Sequence, residues 1–172
     1  DRSVRRLPQG ARGQPVTVLS RRRLRPVLRL QPAGREGPAG RHPELVAAGH
    51  PVTVFVRPTS NRSRLDGIKV DYVTGDILDA AQVKAAFDGR DFRTVVDATA
   101  RGGADDEFYP TAMAHIIAGA RAGGVQQIIL HGSVGAGKNI EQFPQTDFGR
   151  MRSTLAAKGR AEQLLIDSGI DP

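Results

Sequence analysis

The stretch Glu44-Leu-Val-Ala-Ala-Gly-His-Pro-Val-Thr-Val-Phe-Val-Arg57 carries a helix into a buried strand. Gly49 stands where the helix must stop, because a residue without Cβ accepts the left-handed turn of a C-terminal cap. Val52–Val56 is a nearly unbroken β-branched and aromatic run, the composition of a strand covered on both faces. Outward from it the alternation repeats. Ile68-Lys-Val-Asp-Tyr-Val73 reads as a second strand, turned by Gly75-Asp76. Asp79-Ala-Ala-Gln82 resembles a capping box and opens a helix with Val83, Ala86 and Phe87 on one face. Thr94–Ala98 is a third strand, and a helix over 107–122 carries Met113, Ile116, Ile117 and Ala120 at helical spacing. Val125–Leu130 is a fourth strand, followed by a helix over 150–168 that ends at Gly169. Strands alternating with helices of this length predict βαβ units, hence an α/β, doubly wound parallel sheet.

Composition bounds the rest. The 172 residues are 39% hydrophobic and contain no cysteine, which excludes disulfide scaffolds, cysteine zinc sites and thiol nucleophiles. A reducing, cytoplasmic setting is expected. No run approaches the ~20 apolar residues of a membrane span, so no membrane partner is expected. Charge is uneven: residues 1–45 hold eleven Arg against Asp1, Glu36 and Glu44, while residues 46–172 hold fourteen Lys/Arg against fifteen acids. The basic, Pro-rich segment 1–25 reads in three ways: a phosphate-binding arm, an Arg-rich leader, or text translated out of frame. It is set apart from a single domain over 26–172, whose balanced charge argues against nucleic acid as a partner. Gly169-Ile-Asp-Pro172 stands where a further strand should begin, so the C-terminal substrate-binding part is expected to be missing.

In a sheet of this class, ligands bind beyond the carboxyl ends of the strands. Val27-Leu-Arg-Leu30 is strand-like and precedes Gly34, Gly37 and Gly40, whose spacing lets backbone approach a pyrophosphate at a helix N-terminus; chance in a Gly-rich segment is the alternative. Arg57 closes the Val52–Val56 strand, where an acid would suit the ribose of NAD and a guanidinium suits the 2′-phosphate of NADP. Asp76 either meets an adenine amine or simply makes a turn. Ala98 and Thr99, after the third strand, are small enough for a cofactor to lie over them. Gly132-x4-Gly137-Lys138 nearly completes a phosphate loop, but Asn139 replaces the metal-binding hydroxyl and no helix pattern follows. Ser133 sits just past the fourth strand, facing the cleft. Lys158 lies about 20° from Met151 and Leu165 and about 60° from Leu155 at roughly 100° per residue, on the margin of an apolar stripe. There it can pair with Glu162 or reach a ribose hydroxyl.

Residues 44–172 resemble the NAD(P)-binding Rossmann domain of the atypical short-chain dehydrogenase/reductase superfamily, in its NmrA-like branch. The resemblance is carried by Ala47-Ala-Gly-His50 leading to Val54-Phe-Val-Arg57, Gly75-Asp-Ile-Leu-Asp79, and Val95-Val-Asp-Ala98. It continues through Ala118-Gly-Ala-Arg-Ala-Gly-Gly-Val125, Gly132-Ser-Val-Gly-Ala136, and Ala157-Lys-Gly-Arg-Ala-Glu162 running to Ser168-Gly-Ile-Asp171. It implies that Gly34, Gly37 and Gly40 match the glycine turn, Arg57 the 2′-phosphate reader and Asp76 the adenine contact. Ser133 matches the active-site serine and Lys158 the ribose-binding lysine. Two departures stand out: Gly34-Arg-Glu-Gly37 replaces the family's Gly-Ala-Thr-Gly, and Thr154 occupies the place of the catalytic tyrosine, four residues before Lys158. The expectation is an oxidoreductase domain with NADP, or alternatively NAD, as cofactor and a small carbonyl or enone as substrate. Thr154 motivates the other reading, a non-catalytic cofactor-sensing protein.

Overall fold

The computed structural model describes residues 27–30, 42–101 and 106–172. Gly34, Gly37, Gly40 and the basic segment 1–25 lie outside the described residues. Five strands, β1 (Val27–Leu30), β2 (Val52–Val56), β3 (Asp71–Thr74), β4 (Thr94–Asp97) and β5 (Gln127–Leu130), pair in parallel in the order β3-β2-β1-β4-β5. The helices are α1 (His42–Ala47), α2 (Ala80–Ala85), α3 (Phe108–Ala122) and α4 (Arg152–Asp167). The chain grows from β1 to β3 on one side and then returns to lay β4 and β5 on the other. That reversal opens a crevice at the carboxyl ends of β1 and β4, where such folds take ligands.

Two cores sandwich the sheet. On one face Leu28, Phe55, Val95 and Ile128 pack with Val83 of α2, Met113 and Ile116 of α3, and Ala161 and Leu165 of α4. On the other, Val52, Val54 and Val56 pack with Leu65, Leu45 and Val46. Every residue of β2 is buried, as its composition requires of a strand covered on both sides. Each large side chain removed from water contributes about 1.5–3 kcal/mol. The stop at Gly49 is a Schellman-type closure: Gly49 N–H donates to Val46 O at 2.9 Å, His50 N–H to Leu45 O at 3.0 Å, and Gly49 has φ 86°.

Three element starts differ from the sequence reading by two residues or more, each for a tertiary reason. β3 begins at Asp71 because its ladder with β2 starts at the Thr53–Asp71 pair, while Ile68 and Val70 pack beside the second core. β5 begins at Gln127, opposite Thr94, while Val125 is a buried side chain in the turn after α3. A 3-10 turn, Gly149–Met151, precedes α4 and leaves Met151 exposed, off the apolar stripe. Asp171 forms a parallel bridge with Gln127 on the free edge of β5, where the next strand was expected to begin.

Candidate functional site

Lys158 and Ser133 meet at the carboxyl end of β5. The Lys158 ammonium donates to Ser133 Oγ at 2.6 Å. The loop after β5 leaves the sheet through His131, whose N–H donates to Asp97 O at 2.8 Å and extends the ladder by one step. The turn is closed by Ala136 N–H donating to Ser133 O at 3.0 Å. Behind the pair, Tyr109 of α3 presents its ring to the ammonium, with the centroid 5.0 Å from Nζ, a cation–π distance. The Tyr109 hydroxyl is turned away, accepting from Arg101 N–H at 3.2 Å and donating to Arg101 O at 3.3 Å. A cleft opens here, lined by Asp97, Thr99, Tyr109, His131, Lys158 and Glu162 among others.

Its charges are perturbed mainly by burial. The Asp97 carboxyl is held above its usual range by loss of water, although Thr99, Lys158 and His131 favour its ionised form. One oxygen of Asp97 accepts the Thr99 N–H at 2.8 Å. Burial pushes the Lys158 ammonium below the usual lysine value, opposed by the carboxylates of Asp97 and Glu162. Glu162 is raised by burial, opposed by Lys158. The anticipated alternative for Lys158, an ion pair with Glu162, is not what forms among the described residues. Glu162 instead turns its oxygens to the loop after β5, where a Cβ on Gly132 would lie 2.9 Å from Oε1 and a Cβ on Gly137 2.8 Å from Oε2.

The other anticipated residues occupy the strand ends as the topology demands. Thr99 lines the cleft, and its Oγ1 is buried. That hydroxyl lies near enough to Asp97 to favour the carboxylate, yet it completes no hydrogen bond of normal geometry among the described residues, so a polar atom is left for a ligand. Ala98 is half-buried beside it. Arg57 and Asp76 are exposed at the ends of β2 and β3, on the far side of β1 from Ser133 and Lys158. Asp76 Oδ1 accepts Leu78 N–H at 2.9 Å, the turn role anticipated as its alternative. The near-match to a phosphate loop leads into a 3-10 turn, Gly137–Gln142, which lacks the helix N-terminus that would hold phosphates. Tyr109 had no signal in the sequence beyond an apolar helix position. Asp97 read as the end of a strand, or as a mimic of the metal-binding acid that accompanies a phosphate loop.

A doubly wound sheet whose strand ends gather a buried, unpartnered Thr99 hydroxyl and the half-buried Lys158 has the site of a dinucleotide-binding domain. A family model described as NAD(P)H-binding matches residues 37–171, and the chain belongs to that family, within the atypical short-chain dehydrogenase/reductase superfamily. An uncharacterized chloroplastic protein of Arabidopsis thaliana is 32% identical over 136 residues, covering 67% of this chain and 41% of that protein. ChuY, an anaerobilin reductase from Escherichia coli O157:H7, is similar at 27% identity and TM-score 0.63, covering 81% of this chain and 66% of that one. WbmG of Bordetella bronchiseptica, solved in complex with NAD, is 19% identical with TM-score 0.65 over 89% of this chain and 53% of that one, a likeness of fold. The chain thus spans less than two thirds of these proteins' lengths.

Proposed function

We propose that this domain belongs to a cytoplasmic, NADP-preferring reductase that acts on a small carbonyl or enone. The observation that carries the reading is the Lys158–Ser133 contact at the mouth of the crevice, beside the orphan Thr99 hydroxyl. The nicotinamide end of a dinucleotide would be held by Thr99 and Lys158, and its adenosine end by Asp76 and Arg57, with Gly34, Gly37 and Gly40 at the pyrophosphate between them. Bound there in reduced form, it supplies a hydride. Ser133 polarises the substrate oxygen. Arg57, exposed at the end of β2 with its N–H bonded to Ser60 Oγ at 3.1 Å, suits a 2′-phosphate through its planar guanidinium.

Thr154 supports a second reading, a protein that binds the cofactor without turning it over, since an aliphatic hydroxyl is a poor proton donor. Titration with NADPH and NADH by cofactor fluorescence tests both. The first reading requires tighter binding of NADPH, a preference abolished in Arg57→Ala, and turnover with an aldehyde or quinone. Tight binding without turnover of any such substrate selects the second.

A further inference from the structure

Resting on the reductase reading, we propose that Ser133 and Lys158 form a proton-delivery pair that replaces the missing phenol: Ser133 protonates the substrate oxygen and Lys158 recharges Ser133. Thr154 forms no hydrogen bond with either residue among those described. Tyr109 lines the cleft, but the Arg101 backbone holds its hydroxyl. Among the described residues, Ser133 alone joins a hydroxyl in this loop to a proton reservoir, at 2.6 Å.

The direction of that bond matters. An ammonium has only donors, so Ser133 Oγ must accept from it, and the serine's own hydrogen points elsewhere, free for an acceptor. Groups from β4, α3, α4 and the loop after β5 surround the ammonium. Asp97 of β4 and Glu162 of α4 keep it charged, His131 lies in the loop after β5, and the Tyr109 ring of α3 backs it. Burial makes its proton easier to release, which suits a general acid.

Hydride arriving from a bound reduced nicotinamide makes the carbonyl carbon tetrahedral, leaves the nicotinamide oxidised and puts the carbonyl's electron pair on oxygen. The Ser133 O–H bond breaks as its proton passes to that alkoxide, forming the alcohol. A Lys158 N–H bond breaks as its proton passes to Ser133 Oγ. Lys158, now a neutral amine, regains a proton from water through the open cleft.

The test uses the full chain, NADPH and 9,10-phenanthrenequinone, comparing wild type with Ser133→Ala, Lys158→Met, Lys158→Ala and His131→Gln. NADPH affinity is measured separately by fluorescence, and Lys158 is titrated by NMR of its Cε in the cofactor-free protein. Ser133→Ala and Lys158→Met are each expected to lose about 10²–10⁴-fold in kcat. For Ser133→Ala the loss should fall on kcat and leave NADPH affinity nearly intact. Both should lose the wild type's solvent deuterium isotope effect, methylammonium should partly restore Lys158→Ala, and Ser133→Ala should move the Lys158 titration midpoint. A midpoint indifferent to Ser133→Ala overturns the proposal, as does an unchanged pH profile in Lys158→Met or a loss confined to His131→Gln. Wild type that fails to bind NADPH, or binds it without turnover, removes the reductase reading and the proposal with it. Binding and turnover with any of the three contrary results removes the proposal alone.

Discussion

Gly159 of α4 lies so close to Gly137 in the loop after β5 that a Cβ on Gly159 would stand 2.5 Å from the Gly137 nitrogen and 2.6 Å from its Cα. The two backbones meet with no side chain between them, one residue from Lys158. This close approach brings the Lys158 ammonium within reach of Ser133.

Gly159→Ala therefore tests the contact. Helix propensity alone would favour alanine by up to about 1 kcal/mol. The clash with backbone is instead expected to destabilise the fold by about 1–3 kcal/mol, read as a lower melting temperature. A more stable variant would show that α4 and the loop do not touch.

Phe92 anchors the core at the entry to β4. It is 1% exposed and meets Phe87 edge-on at 6.0 Å between centroids. Phe92→Ala leaves a cavity among α2, α3 and the sheet, at an expected cost of about 3–5 kcal/mol in urea unfolding.

Asp97 gives the fold a pH dependence. Its folded-state pKa is raised, so its contribution is fully present below the ordinary carboxylate value of 3.8 and is lost as pH rises through the folded value. Asp97→Asn keeps an acceptor for the Thr99 N–H and removes the charge. The stability difference between variant and wild type should move in the variant's favour as pH rises from acid to neutral, measured by urea unfolding across that range.

Asp79 works with the opposite sign. Its side chain accepts from Ala81 N–H at 2.9 Å and Gln82 N–H at 3.0 Å, and Gln82 Nε2 donates to it at 2.7 Å. The Gln82 bonds lead in holding its carboxyl below the usual range. The stabilisation is present above the ordinary value and lost as pH falls through the folded one. Asp79→Ala should lower the melting temperature at neutral pH, and the deficit should shrink in acid.

Much of the architecture was legible because it is local. The Asp79 cap, the Gly49 stop and the buried run Val52–Val56 depend on neighbours a few residues away, and alternating strand and helix patterns determined the parallel sheet. The starts of β3 and β5 were not legible, since Asp71 and Gln127 begin ladders only where Thr53 and Thr94 stand opposite them. Ser133 and Lys158 could be singled out by their places after a strand and on a helix margin. Nothing along the chain states that they touch, because 25 residues separate them and the 2.6 Å contact depends on the Gly159–Gly137 approach. Tertiary packing alone also decided that Tyr109 offers its ring and withholds its hydroxyl, and that Asp97 is buried behind the cleft. Periodicity records which side chains leave water. Distance and direction between groups on different elements arise only when those elements pack.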